Sequence, residues 1–348
     1  MNAPDHELAT YATRHRAVDV THGGGGRAMA DLIRDLFTRH LGNELLDQGH
    51  DSALLSVPPG RLAMSTDGHV VSPLFFPGGD IGSLAVHGTI NDVAMSGARP
   101  LFLTAAFILE EGFPLERLEA IVISMANAAR KAGVLVVTGD TKVVEKGKGD
   151  GVFITTTGLG VVPEGVHISG DFAHRGQKII LSGTIGDHGI AILSKRENLE
   201  FETEIRSDSA ALHGLVADMV AAVPGIAVLR DPTRGGLAAT LNEIASQSKV
   251  GMMLEETAIP LNEQVSAACE LLGLDPLYIA NEGKLICICE AADAERLLAV
   301  MRAHQHGRQA SIIGTVTEDS NCLVQMRTRF GGARVVDWLA GEQFPRIC

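Results

Sequence analysis

The chain has 348 residues, 45% apolar and 20% charged, which excludes a disordered chain, a collagen-like repeat and a small disulfide scaffold and suits two domains. With 29 Lys and Arg against 42 Asp and Glu, the net charge is −13. That balance lacks the cationic face needed to hold nucleic acid or an anionic membrane.

Residues 1–26 form a polar arm with neither a basic start nor an apolar run, and it ends in Gly23-Gly24-Gly25-Gly26. Met29, Leu32, Ile33, Leu36 and Phe37 then recur at helical spacing, which predicts an amphipathic helix directly after the glycines. Short strands are predicted over 61–66, 101–109, 134–138 and 152–162. Helices are predicted over 81–96 and 115–131, the first closed by Gly97 and Pro100. Residues 163–176 carry Gly, His and Pro without a sustained period and are read as the domain boundary. Beyond them strands are predicted over 178–184, 226–229, 285–289, 310–316 and 322–327, and helices over 208–222, 236–246, 263–272 and 294–303. The halves match in size and element content, which hints at an internal duplication. No apolar run reaches the ~18–20 residues of a membrane span. Five scattered cysteines, an odd number, read as reduced thiols. The expectation is a cytoplasmic protein without nucleic-acid or membrane partners.

Four glycines before a helix let the backbone approach a ligand, and the N–H groups of the helix start, with Arg27, attract an anion. The string lacks a Gly-Lys-Ser/Thr ending and follows no strand, so a plain hinge is the competing reading. Acids stand where strands end: Asp67, Asp140 and Asp231, with Asp51 after a polar run. Strand ends fix their residues well, so these carboxylates can converge on hard cations such as Mg²⁺, which takes one or two carboxylates plus phosphate oxygens and water. Each alone is equally a turn former or a helix cap, as Asp231 before Pro232 illustrates. Asp92 lies late in a predicted helix, where the macrodipole disfavours a carboxylate. With His87 and Asn91 it forms a polar patch amid apolar residues. Cys287 and Cys289 share one side of a strand without a second pair to complete a zinc site, and read as core. Cys348, the last residue, sits on a tail that can swing, so its thiolate can act as nucleophile or carrier. The adjoining terminal carboxylate should raise its pKa, with Arg346 partly offsetting the effect. A terminal cysteine by itself is as readily incidental.

From His22 to Cys348 these residues resemble the HypE family of hydrogenase maturation proteins, within the AIR synthase-like (PurM-like) superfamily of ATP-using enzymes. The resemblance rests on His22-Gly23-Gly24-Gly25-Gly26-Arg27, Ser65-Thr66-Asp67-Gly68, the run from Asn91-Asp92 to Arg99-Pro100, and Thr138-Gly139-Asp140-Thr141-Lys142-Val143. It rests also on Gly183-Thr184-Ile185-Gly186-Asp187-His188-Gly189, Arg230-Asp231-Pro232-Thr233-Arg234-Gly235-Gly236 and the terminal Pro345-Arg346-Ile347-Cys348. The Asn-Asp and Gly-Asp-Thr strings are shared across the superfamily. The terminal string is particular to HypE and removes the incidental reading of Cys348.

The resemblance implies an α+β, two-domain PurM-like fold whose N-terminal domains pair in a homodimer through a β-barrel-like interface that holds ATP and Mg²⁺. Residues 1–50 would be arm, glycine loop and first helix. Residues 51–165 would be the ATP-binding and dimerisation domain, 166–338 the C-terminal domain, and 339–348 a flexible tail. Asp51, Asp67, Asp92, Asp140 and Asp231 become metal residues; Gly23, Gly24, Gly25, Gly26, Arg27, Thr66, Asn91 and Thr141 contact ATP. Cys348 is the carrier, with Lys142 and Glu282 as a base and charge-stabilising pair. The implied reaction is ATP-dependent dehydration of a carbamoyl group, loaded on Cys348 by the carbamoyltransferase HypF, to a thiocyanate. The cyano group then passes to iron on the HypC–HypD complex, towards the [NiFe] centre of a hydrogenase. Other PurM-like chemistries (selenophosphate synthetase, thiamine-phosphate kinase) and a non-enzymatic carrier are the competing readings. A selenophosphate synthetase would carry a reactive residue near its start, whereas the first cysteine here is Cys269.

Overall fold

The computed structural model describes residue 11, residues 16–199, 204–339, 341 and 346–348. Most of the predicted arm and the stretch 342–345 of the tail therefore lie outside the described residues. The predicted first helix begins at α1 (Arg27–Leu32) and continues through a π-type stretch, Ile33–Thr38, to a last turn at Arg39–Leu41. Leu32, Leu36 and Phe37 are its buried stripe.

The first sheet joins β1 (Arg61–His69), β4 (Arg99–Glu110), β5 (Leu135–Val144) and β6 (Val152–Val162) in the order β1-β6-β4-β5, with β4 and β5 parallel. A small hairpin, β2 (Phe75–Phe76) and β3 (Gly79–Asp80), leads into helix α2 (Ile81–Met95). Asp80 caps that helix by accepting from the N–H groups of Gly82 and Ser83. Helix α3 (Leu115–Ala132) turns Leu118, Ile121, Val122 and Met125 inward and closes at Gly133, whose φ of +66° suits a residue without Cβ. Both helices pack on one face of the sheet. The other face is open: Leu62 and Met64 are 57% and 73% exposed, with Ile108 and Leu135 beside them.

The second sheet has seven strands: β7 (Lys178–Leu181), β8 (Val228–Arg230), β9 (Gly251–Glu255), β10 (Ile286–Cys289), β11 (Ser311–Thr317), β12 (Val324–Arg327) and β13 (Ala333–Val335). Their order is β13-β12-β9-β11-β7-β10-β8. Helices α5 (His213–Ala222) and α8 (Ala294–Ala303) bury Leu215 and Leu297 in one core with Cys287 and Cys289. Helix α6 (Gly236–Ser248) buries Leu237 and Leu241 in another with Ile286 and Ile288. Between these elements lie α4 (Asp187–Glu197) and α7 (Glu263–Leu272). Among the described residues the second sheet thus has seven strands where the first has four, and the two differ in strand order.

Helix α2 is buried almost all round because it lies between the halves. Asn91 ties them: its Nδ2 donates to the carbonyls of Ala210 (2.9 Å) and Glu282 (3.3 Å), and its Oδ1 accepts from Leu212 N–H (2.8 Å). This side chain, expected to contact ATP, holds the Glu282 loop against the first domain. Among the described residues no helix is long and apolar enough to cross a membrane.

Candidate active site

The two halves meet over α2 at a cluster of acids. The missing side chain of Gly88 makes room for it: a Cβ there would stand 3.3 Å from Asp67 Oδ2 and 3.9 Å from Glu282 Oε2. Asp67 comes from β1, Asp92 from α2, Asp231 from the end of β8 and Glu282 from the loop before β10. Ser65 Oγ donates to Asp92 Oδ2 at 2.7 Å. The loops that carry Asp231 and Glu282 are laced together by Asn281, whose Nδ2 donates to Pro232 O (2.8 Å) while its Oδ1 accepts from Gly186 N–H.

Burial and crowding set the charges. Asp231 is pushed up to about 7 by burial, then by the neighbouring Asp92. Burial also raises Asp92, and Asp67 adds to it. Glu282, only 5% exposed, is held well above the ordinary carboxyl range by burial, then by Asp208, Asp231, Asp67 and Asp92. Asp208 behaves differently. Burial alone would raise it, but Lys284, at 2.9 Å, and the Glu282 N–H bring it below its ordinary value.

The chain terminus enters this cluster. Ile347 bridges Val71 in antiparallel fashion, with Val70 N–H donating to Cys348 O (3.0 Å) and Ser72 N–H to Arg346 O (3.1 Å). Ile347 is buried in the first core. Arg196 donates to Ser72 O and to Arg346 O (2.9 and 2.8 Å), and Arg346 pairs with Asp150. Arg234 Nη2 reaches the Cys348 sulfur at 3.8 Å. The thiol is pushed up to about 12, by burial first and then by Glu282, while Arg234 pulls the other way. The offset expected of Arg346 is therefore supplied by Arg234, because Arg346 is engaged with Asp150.

The remaining predicted site residues lie elsewhere. Asp140 and Lys142 pair at 2.9 Å on the open face of β5, the far edge of the sheet from β1. Asp140 also accepts from Thr141 N–H, and Lys142 first holds its carboxyl below the ordinary range. Lys142 and Glu282 are thus not brought together within one chain. Thr66 shares the open face, its Oγ1 2.9 Å from Thr157 Oγ1. Gly23 packs on Val143, whereas Gly24, Gly25, Gly26 and Arg27 are exposed, so the glycine loop borders β5 rather than the acid cluster. A cavity of about 130 Å³ lies beside it, lined by Met29, Ile33, Phe37, Val136, Thr138 and Thr141. Asp51 stands exposed in a bend, its N–H on His50 Nδ1, away from the other acids. Sequence reasoning named Arg234 and His188 only inside motifs, and gave no role to Asp208 or Arg196. A buried Lys–Asp pair 76 residues apart leaves no local signal.

Residues 49–162 match the AIR synthase related protein, N-terminal domain, and residues 174–326 the corresponding C-terminal domain. A carbamoyl dehydratase HypE from Cupriavidus necator is 70% identical over 332 residues, covering 95% of each chain. The chain belongs to the HypE family of hydrogenase maturation proteins. A HypE crystallised in complex with ATP is 52% identical, with a TM-score of 0.92 over 94% of this chain and 99% of that one. A HypE from a HypE–HypF complex is 50% identical, with a TM-score of 0.79 over 88% of this chain and 99% of that one.

Proposed function

We propose that this chain uses ATP to dehydrate an S-carbamoyl group on Cys348 to a thiocyanate. The observation that carries this reading is the seat of the terminus, its sulfur at Arg234 beside Glu282 and the acid cluster. The ATP complex and the dehydratase name among relatives support it.

The carbamoyl oxygen attacks the γ-phosphorus of ATP, the bond to ADP breaks, and one amide proton leaves. The C–O bond then breaks to release phosphate as the second proton leaves and C≡N forms. Phosphorylation is required because an amide oxygen is a poor leaving group. Glu282 accepts amide protons, since burial and its acidic neighbours raise its affinity for one. Arg234 holds the sulfur end in register. The thiol at about 12 is almost wholly protonated in its seat, and a thiolate is the nucleophile. Carbamoylation therefore takes place with the tail out, on HypF, and dehydration with the tail in. The cyano group then leaves for iron on the HypC–HypD complex, in the cytoplasm.

Asp67, Asp92 and Asp231 would hold Mg²⁺. Among the described residues no three His, Cys, Asp or Glu side chains close on one point, yet the set fits. Its hard oxygens repel one another, and Mg²⁺ takes only one or two carboxylates, the rest coming from phosphates and water. When bound it spreads the charge of the transferring phosphoryl group. The cavity at Phe37 and Val136 receives the adenine, and the glycine loop beside it closes over the phosphates. Asp140→Ala is expected to weaken ATP binding by about tenfold, roughly 1.4 kcal/mol, in calorimetry; an unchanged affinity contradicts this placement.

A second copy completes the site. The open sheet face with Leu62, Met64, Ile108 and Leu135 is apolar enough to pair with itself in a barrel-like homodimer. That pairing carries Asp140, Thr141 and Lys142 of one copy towards the Asp67 end of β1 in the other. Met64→Asp is expected to reduce the mass in light scattering to that of one chain. The function itself is tested on the C-terminal peptide after incubation with HypF, carbamoyl phosphate and ATP. A gain of about 25 Da, H replaced by CN, supports it; a peptide that stops at the carbamoyl mass refutes it.

A further inference from the structure

We propose that His188, at the start of α4, is the positioning residue that sets the register of the carrier tail. The proposal rests on the carrier reading of Cys348 for its purpose, but its geometry stands apart from it. Four of the contacts that hold the terminus go to main-chain oxygens alone. Val70 N–H takes Cys348 O, Ser72 N–H and Arg196 take Arg346 O, and His188 Nε2 takes Ile347 O at 2.7 Å. Such a hold reads the position of the chain and is indifferent to whether the sulfur carries hydrogen, carbamoyl or cyano.

His188 is the central contact. It is fully buried, and its Nδ1 accepts from Ser207 Oγ at 2.8 Å. Because a carbonyl can only accept, Nε2 carries the hydrogen and Nδ1 does not, so both ring nitrogens are committed. The ring is wedged edge-on to Phe76, 5.6 Å between centroids. Ser207 is itself anchored, its N–H on Pro77 O at 2.8 Å. Burial keeps the imidazole neutral. A fixed, buried N–H aimed at one carbonyl of an incoming strand loses that partner when the strand leaves, and so favours one register of return. One residue of slip would move Cys348 off Arg234 and place Ile347 on the wrong side of the pairing.

The test uses the full chain without nucleotide or partner. Iodoacetamide labelling of Cys348 is followed by the mass of the C-terminal peptide. The wild-type sulfur should label slowly, His188→Ala at least tenfold faster, and His188→Gln, which keeps an N–H donor, close to wild type. Equal rates in all three, or a fast rate that glutamine does not restore, overturn the proposal. If His188→Ala fails to fold by circular dichroism, Ser207→Ala, which frees the ring, should label severalfold faster, and a wild-type rate there overturns it. Labelling needs neither ATP nor a carbamoyl group, so a chain that never gains the cyano mass would sink the dehydratase reading and leave this one standing.

Discussion

Cys348→Ala is expected to abolish formation of the cyano product while leaving the fold intact. The tail is held by its carbonyls and by the buried side chain of Ile347, and none of these contacts needs sulfur. Removing one partly exposed Sγ from the surface of the cluster should therefore cost less than about 1 kcal/mol of stability. Chemistry, by contrast, loses its only point of attachment, so no adduct of about 43 or 25 Da can appear on the C-terminal peptide. ATP turnover that depends on carbamoyl phosphate and HypF should fall to background. Any cyano product in this variant would place the carrier on another residue, and Cys269, Cys287 and Cys289 are all buried.

The two-domain layout and most elements are legible in the sequence because their apolar periods are regular. Helix α4 escapes because Ile190, Ala191 and Ile192 are all buried in a consecutive run rather than at helical intervals, behind glycines that read as a turn. Strand β9, Gly251–Glu255, is too short for a period of two to stand out. At the site, Asp67 and Asp231 stand out in the sequence as acids at strand ends and Asp92 as an acid late in a helix, whereas Glu282 is implied by the family resemblance alone. What the structure adds is which of them share a space. Asp51 and Asp140 belong to the same sequence pattern, yet one stands in an exposed bend and the other on the open face of β5. Register decides this: alternate residues of a strand face opposite ways, and a single sequence does not say which face a second domain or a second copy will cover. Asn91 shows the converse, a polar residue that suggests a ligand and in the fold satisfies three main-chain groups of the other domain, a role that the sequence does not display.

Glu282→Gln should separate loading from dehydration. The carboxyl is fixed by its own backbone, whose N–H donates to Asp208 Oδ1 at 3.0 Å and whose carbonyl accepts from Asn91. Glutamine is isosteric and keeps those contacts, but it cannot accept an amide proton. The cyanation rate is expected to drop by about 10²–10⁴, the span of general base catalysis, while ATP affinity changes less than about twofold. The carbamoylated peptide, about 43 Da heavier, should accumulate unconverted. Loss of fold would not explain such a result, and the sign of the electrostatics shows why. The folded carboxyl titrates well above its ordinary 4.5, through burial first and then through Asp208, Asp231, Asp67 and Asp92. Between 4.5 and the higher pH at which the folded carboxyl titrates, the unfolded chain has released this proton and the folded chain still holds it, so stability declines across that window, above which the carboxylate is free to act as a base. Glutamine has no proton to keep, and the variant should melt at or above the wild-type temperature at pH 7. A Glu282→Gln protein that cyanates at the wild-type rate would reduce Glu282 to a residue of the turn before β10 and leave the amide protons without a recipient in this site.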